Sequence, residues 1–277
     1  CTTVFFFVHM TAFKSTVVYL TIFTRIPVDS TTMTCRSVII EITILNQTVC
    51  RILKPFNSTS KIGSATISNV TSDKLTTNHT YFMREPEHYQ FMVKTFLPYI
   101  RSLKRPKKYV NVWSAGCSSG EEAYTTQMQM LEFFGADGAN WDTTIYASDI
   151  SQNVLNKAAQ GIYHADGMKN LDPAWIKKYF TPLENNCFQV KPELQKRVKF
   201  KAFNLMKPIP KPVVPYDLIF CRNVMIYFDM PTKVELVKRF YDVLAPGGYL
   251  FIGHAESIPR DTTKYQYVQP AIYRKPL

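Results

Sequence analysis

Acidic residues are scarce in this chain of 277 residues. It has 21 Asp and Glu against 33 Lys and Arg, which gives a formal net charge of +12. Such an excess points to an anionic partner, which could be nucleic acid, an acidic protein surface or an anionic membrane face. The densest basic run, residues 101–108, is short. We therefore do not predict nucleic-acid binding.

Paired cysteines and long apolar helices are also missing. The six cysteines form no C-x-x-C pair and have no histidine at metal-ligand spacing, so no metal site is predicted. Scattered cysteines in a chain of this size suit a reducing compartment, which favours the cytoplasm. The stretch 5–23 is almost long enough to cross a membrane, but Lys14 and several threonines interrupt it. Stable membrane insertion is not predicted.

The first 72 residues differ from the rest of the chain. They contain one glycine, 22 Ser or Thr residues and only two acids. Apolar clusters such as 4–8 and 38–45 suggest β-like runs, and no helical period persists. We expect an atypical N-terminal segment over 1–72, to which the sequence assigns no fold, and a second region over 73–277.

Strand-like and helix-like segments alternate from about residue 73. Helices are expected at 85–103, 121–134 and 151–160, and strands at 109–115, 143–148, 197–203 and 216–220. Four such units in series predict an α/β fold with a mainly parallel sheet and helices on both faces. Residues 216–254 add a strand, a polar cluster, a helix and a second strand. In such sheets, ligands bind at the carboxyl ends of the strands.

The loop from Gly116 to Gly120 follows a strand and precedes a helix. Its G-x-x-x-G spacing is not the G-x-G-x-x-G of dinucleotide folds, and it lacks the lysine of a phosphate-binding loop. Glu121 and Glu122 occupy the helix N-terminus, where a diphosphate would otherwise bind. They favour a cationic or neutral nucleoside such as S-adenosylmethionine. The alternative is that both acids only complement the helix dipole.

Polar residues follow three further strands. Asp149 ends the second strand, where an acid commonly accepts hydrogen bonds from ribose hydroxyls, although it could equally belong to the cap of the next helix. Asn204 and Asn223 could read an adenine edge or simply form turns. Cys117 and Cys221 have no evident histidine partner, so we expect them to pack in the core.

A polar segment at 76–85 precedes the first helix of the second region. It could form a lid whose Arg84 reaches the site. The alternative for Arg84 is a surface ion pair.

Six blocks at these residues resemble the CheR family of chemotaxis-receptor methyltransferases. They are TTNHTYFMREPEHY (76–89), VWSAGCSSGEEAY (112–124), YASDIS (146–151), FNL (203–205), FCRNVMIYF (220–228) and LAPGGYLFIGHAES (244–257). They occur in the family's order and cover 73–277.

The resemblance implies an S-adenosylmethionine-dependent methyltransferase fold, Rossmann-like, with a small antiparallel β-subdomain at about 181–200. It implies methyl transfer to glutamate side chains of receptor cytoplasmic helices, with S-adenosylhomocysteine as product. Arg84 and Tyr227 would face the incoming carboxylate. The implied cofactor-binding residues are Asn78, Thr80, Arg84, Glu122, Asp149, Asn204, Leu205, Arg222 and Asn223. The alternatives are a methyltransferase of the same fold acting on another carboxylate or a small molecule, and a non-catalytic module that binds receptors or S-adenosylhomocysteine.

Two departures from the family pattern affect the expected partners. Residues 1–72 do not resemble the family's N-terminal helical domain, which contributes to receptor docking. The turn at 181–186 is short and contains no glycine. Family members that tether to a receptor's C-terminal pentapeptide have a longer loop there, so no such tether is expected.

Overall fold

The computed structural model of the chain describes residues 17–27, 33–43 and 80–277. Most of the atypical segment 1–72, and the expected cofactor-binding residue Asn78, lie outside these ranges. Within them, no helix combines the length and the apolar content needed to cross a bilayer.

The described residues fall into two compact units. The first contains a hairpin of β1 (Val17–Pro27) and β2 (Met33–Thr43), which pair antiparallel from Val17 opposite Thr43 to Pro27 opposite Met33. Residues 227–229 also belong to this unit, and the second unit holds the rest of 80–277.

The second unit begins with one helical rod of three parts. α1 (Pro86–Phe91) continues through a π-helical turn (Met92–Phe96) into α2 (Leu97–Ser102). This agrees with the helix expected at 85–103. The π-helical turn was not expected, because a segment of five residues is too short for its pattern of apolar residues to distinguish a π-helix from an α-helix.

A seven-stranded sheet forms the centre of this unit. Its strands are β3 (Val112–Ala115), β4 (Ile145–Asp149), β8 (Val198–Ala202), β9 (Tyr216–Cys221), β10 (Leu244–Ile252), β11 (Gln266–Gln269) and β12 (Ile272–Arg274). The order is β11-β12-β10-β9-β3-β4-β8. The five strands from β10 to β8 are parallel, while β12 runs antiparallel to both neighbours. The predicted mainly parallel sheet is confirmed.

Helices connect the parallel strands. α3 (Glu121–Phe134) follows β3, α4 (Gln152–Gln160) follows β4, and α7 (Met230–Val243) joins β9 to β10. The Pro246-Gly247-Gly248 run lies within β10, where the pairing register with β9 shifts between Leu244 and Tyr249. Gly247 adopts a positive φ of 74° there, so the strand bends without ending.

Each face of the sheet has its own side chains. Phe200, Phe220 and Phe251 lie on the first face, where rings from α3 and α1 pack against them. The ring centroids of Tyr124 and Phe200 are 5.8 Å apart, and those of Tyr89 and Phe220 are 6.2 Å apart. The second face carries Trp113 and Tyr146, which lie opposite each other in register. Phe240 of α7 packs on Trp113 with ring centroids 5.4 Å apart.

A separate three-stranded antiparallel sheet, with the order β5-β7-β6, is inserted between β4 and β8. Its strands are β5 (Ile162–His164), β6 (Phe180–Pro182) and β7 (Cys187–Val190), and the short helices α5 (Pro173–Tyr179) and α6 (Pro192–Gln195) lie beside it in the chain. β7 lies within the expected range of 181–200 and β6 at its start, while β5 lies before it. A strand of three residues such as β5 gives no periodicity to detect, and 198–202 belongs to the main sheet.

Candidate active site

Four neighbouring parallel strands end at the same edge of the main sheet. Asn204 and Leu205 follow β8, Asp149 ends β4, the glycine loop follows β3, and Arg222 follows β9. Because β8, β4, β3 and β9 are adjacent, these residues share the carboxyl edge, as the sequence predicted.

The backbone is strained around this edge. Among the described residues, seven other than glycine have positive φ, and four of them are Met83, Glu85, Ser118 and Asn223. Left-handed conformations cost free energy in such residues and cluster at functional sites. The glycine loop also contains a buried polar atom without a hydrogen-bond partner, the hydroxyl oxygen of Ser118. A ligand with hydrogen-bonding groups would satisfy that atom.

A buried arginine joins three segments of the site. The Arg222 side chain is 2% exposed and lies 3.1 Å from carboxylate oxygens of both Glu85 and Glu122. It also donates to the backbone carbonyl of Arg84 and, at 3.3 Å, to the hydroxyl of Tyr89. Arg222 therefore fixes the segment before α1 against the start of α3.

The two acids at the start of α3 have different surroundings. Glu122 accepts from the Ser114 hydroxyl at 2.6 Å as well as from Arg222. Burial raises the pKa of Glu122, and Arg222 and Ser114 act in the opposite direction. Glu121 accepts from the Ser119 hydroxyl, and burial raises its pKa too. Of these two acids, only Glu122 contacts another candidate residue, Arg222, so Glu122 does more than complement the helix dipole.

Asp149 supports the glycine loop and the next helix together. One carboxylate oxygen accepts from the backbone N–H of Ser118 at 2.9 Å, and the other accepts from that of Ser151 at 3.0 Å. The Ser151 side chain in turn accepts from the N–H of Val154 and caps α4. Asp149 therefore lies at the cap region of the next helix and also holds the glycine loop, while its contact with a ribose stays a prediction.

The two asparagines form turns in different ways. Asn204 accepts from the N–H of Met206 at 2.8 Å, which closes an Asx turn, and Leu205 behind it is 8% exposed. Asn223 has a left-handed φ of 58°, and its side-chain amide lies 3.4 Å from Glu85.

The predicted catalytic residues lie in different units. Arg84 is half-buried, with its guanidinium 6.0 Å from the ring centroid of Tyr81, and Thr80 is also half-buried. Tyr227 ends a single 3-10 turn, Met225–Tyr227, and is 37% exposed. It is counted with the first unit, whereas Arg84 belongs to the second.

Two acids near the site escaped the sequence argument. Glu85 accepts from the backbone N–H of His254 at 3.2 Å in addition to Arg222 and Asn223. Glu256 accepts backbone N–H groups from Asn223, Ile226 and Gly253 at 3.0, 3.1 and 2.6 Å. Glu256 thus holds the loop after β9 in shape. Both acids stand inside the blocks that carry the resemblance, which is the signal that could have identified them.

The site does not offer a nucleophilic cysteine or an evident cation site. Burial raises the pKa of both Cys117 and Cys221 well above the usual value, so neither thiolate forms readily. Ligand atoms of Glu85, His88 and His254 lie within 4.8 Å of one another. The positive charge of Arg222 against Glu85 opposes a metal ion at that cluster.

Comparison with known proteins identifies the family. Residues 78–273 match the family model described as CheR methyltransferase, SAM binding domain. The chain belongs to the CheR methyltransferase family. A chemotaxis protein methyltransferase of Borreliella burgdorferi is 45% identical over 209 residues, which is 73% of this chain and 72% of that protein. One of Escherichia coli is 39% identical over 188 residues, covering 67% of this chain and 63% of that protein.

Solved structures give a more distant likeness. The N-methyltransferase NodS from Bradyrhizobium japonicum, in complex with S-adenosylhomocysteine, aligns with 15% identity and a TM-score of 0.35, covering 61% of this chain and 60% of that one. The sequence match carries the assignment to the S-adenosylmethionine-dependent methyltransferase fold.

The CheR-type site suits its cofactor, S-adenosylmethionine. The loop after β3 offers the orphaned hydroxyl of Ser118, the first turn of α3 offers the carboxylate of Glu122, and the end of β4 offers that of Asp149. Carboxylates accept hydrogen bonds from ribose hydroxyls and from an ammonium group, and they favour a cationic sulfur. Asn223 adds an amide that can read a base edge.

Proposed function

We propose that this protein transfers the methyl group of S-adenosylmethionine to glutamate side chains on cytoplasmic helices of chemotaxis receptors, forming methyl esters. With those helices as substrates, the enzyme would act in the cytoplasm. The observation that carries the proposal is the joining of Arg84–Glu85, Glu122 and Arg222 at the carboxyl edge of a CheR-type sheet. The relatives' names concern chemotaxis, so another carboxylate or a small molecule is not the favoured acceptor.

The reaction asks little acid–base chemistry of the protein. A glutamate carboxylate is ionised at neutral pH, so no general base is needed. The cofactor supplies a methyl group activated by the positive charge on its sulfur. The task of the protein is to align the carboxylate oxygen, the methyl carbon and the sulfur, and to exclude water.

Arg84 and Tyr227 are our proposed acceptor residues. Charge-assisted hydrogen bonds from Arg84 would orient the incoming carboxylate, and the Tyr227 hydroxyl would hold its second oxygen. The carboxylate loses its charge on esterification, so a moderate contact from the half-buried Arg84 suits both substrate and product. Thr80, Glu122, Asp149, Asn204, Leu205, Arg222 and Asn223, with Asn78, are the proposed cofactor-binding set.

The direct test supplies methyl-labelled S-adenosylmethionine and receptor-bearing membranes, then measures base-labile methanol. We expect label in the wild type and about 10²-fold less in Arg84→Ala. Tyr227→Phe should keep more activity than Arg84→Ala. Arg101→Ala, an exposed arginine on α2, is the matched control and should behave as wild type. Folded protein that binds the cofactor but releases no methanol with several receptors would support the non-catalytic alternative.

We further propose that the inserted sheet does not tether a receptor C-terminus. The turn between β6 and β7 spans only 183–186, and Asn185 and Asn186 supply left-handed φ values of 56° and 53° in place of glycine. A fluorescent receptor C-terminal pentapeptide should show no saturable anisotropy change up to millimolar protein. Saturable binding would contradict this prediction.

A further inference from the structure

The second face of the main sheet is covered unevenly. Four paired residues cross this face from β9 to β8: Ile219, Trp113, Tyr146 and Lys199. Their exposure rises along the row, from 0% at Ile219 to 5% at Trp113 and 42% at Tyr146, and Lys199 at the edge is exposed. α7 packs against the buried end of this row through Phe240. No described helix follows it over β4 and β8.

The cause is the connection between β8 and β9. It crosses the sheet over residues 203–215, where a parallel crossover usually forms a helix. Four of these residues are proline, at 208, 210, 212 and 215, and proline removes helical hydrogen bonds and clashes with the preceding turn. Parallel sheets are normally covered on both faces, so within the part of the chain that the structure describes, the place of a helix on this face is left open.

The open place is a groove of about 950 Å³, which we call the crossover groove. Aromatic rings form its floor. The ring centroid of Trp113 lies 5.3 Å from that of Tyr216 and 6.0 Å from that of Phe203, and the centroids of Tyr146 and Tyr216 are 6.2 Å apart. The lining includes the exposed Val213 on its crossover side.

Lysines surround this floor. The lining includes Lys107, Lys108, Lys199, Lys201 and Lys211, with Asp142 as its one acid. Lys108 pairs with Asp137, while the other four have no ion pair among the described residues. An apolar floor with a cationic rim is complementary to an apolar stripe flanked by acidic residues.

We propose that the crossover groove docks an acidic amphipathic helix of a partner protein. The vacant place in the sheet is that of a helix, and the rim selects negative charge. Two other occupants carry the wrong charge. Residues 44–79 of this chain have four Lys or Arg against one acid, and a second copy of the chain carries +12.

The probe is a labelled 20-residue helical peptide with leucines at i, i+3, i+4 and i+7 and glutamates on both flanks. A scrambled peptide of the same composition is its comparison. We expect saturable anisotropy binding that weakens as salt rises. The double variant Lys199→Glu/Lys201→Glu should lose at least tenfold in affinity, and Tyr146→Ala should lose affinity with little change in salt dependence.

The matched control is Lys177→Glu/Lys196→Glu, which makes the same charge change at exposed lysines outside the groove. It should bind within twofold of wild type, and thermal unfolding verifies that all variants are folded. Equal losses in both double variants, equal binding of the scrambled peptide, or no binding at all would overturn the proposal. So would DNA, anionic vesicles or self-association that competes with the peptide and is lost with Lys199 and Lys201.

Discussion

Arg222 shows what a sequence can and cannot reveal about one residue. Its place after a buried strand was enough to assign it to the site. Its two carboxylate partners could not be read from the chain, because Glu122 and Glu85 lie 100 and 137 positions away. The sequence also could not show that the side-chain oxygen of Asn204 accepts a hydrogen bond within a turn. An Asx turn and the recognition of a base both use the side-chain amide of an asparagine.

Replacing Arg222 by methionine should destabilise the protein strongly. The change leaves Glu85 and Glu122 partly buried without their cation, and breaking a buried pair from one side typically costs about 3–5 kcal/mol. Urea unfolding measures the loss. Adding Glu122→Gln should recover part of it, while strictly additive effects would show that the pair is not coupled.

His88 gives stability an acid dependence. Its side chain is fully buried, stacks on Phe251 at 5.2 Å, and lies near Arg222 and His254. Burial, then the charges of Arg222 and His254, lower the pKa of His88 from 6.5 to about 2. Between these values the unfolded chain binds a proton that the folded protein does not, so stability falls as pH falls through this window.

The check is His88→Phe, which keeps the ring and removes the titration. From pH 6.5 down to 4.5, wild type should lose up to about 1.4 kcal/mol per pH unit more than the variant. Above pH 6.5 the difference between the two should be constant. Parallel curves over the whole range would contradict the buried, neutral imidazole.

At the scale of elements, the sequence predicted where the loop from β3 to α3 lies, but not why this loop requires a glycine at position 116. Gly116 faces the Val224 side chain, where a Cβ would overlap, and its φ is 93°. The Glu121–Phe134 helix and the cap at Ser151 can be predicted from the sequence, because they depend on local composition and on hydrogen bonds between neighbouring residues.

Gly116→Ala should therefore suffer twice, from the left-handed backbone and from overlap with Val224. Gly135→Ala measures a backbone term alone, since Gly135 has φ 51° and ψ −126°, a conformation that L residues rarely adopt, and nothing lies within 4 Å of a Cβ there. We expect about 1–3 kcal/mol for Gly135→Ala, and for Gly116→Ala an overlap cost of about 1–3 kcal/mol beyond its own backbone term. Gly116→Ala/Val224→Ala should be partly rescued relative to the sum of the single changes. Equal losses at both glycines would remove the packing argument.

For the molecule as a whole, alternation of strands and helices predicted the parallel sheet, and the strand ends predicted which edge carries the site. The sequence could not predict the short strands β5 and β6 or the open place over β4. A strand of three residues is too short to show a periodic pattern. The uncovered part of the sheet can be recognised only when the positions of the strands and of the described helices are known.

Cofactor binding should appear in global stability. A ligand that binds only the folded state at 100 times its dissociation constant adds about 2.7 kcal/mol. S-adenosylhomocysteine should therefore raise the thermal midpoint by several degrees. Methionine at the same concentration should leave it unchanged, and an unshifted midpoint with both compounds would count against the pocket.

Lys275, two positions before Leu277, connects two elements. Its backbone N–H donates to the carbonyl of Gly248 in β10, and its ammonium donates to the carbonyls of Tyr241, near the end of α7, and Leu244, the first residue of β10. Removing Lys275 and the residues that follow it would free both a helix end and part of the β10 border. A chain cut at this point would lose solubility before it loses secondary structure, because an unpaired strand border recruits neighbouring molecules.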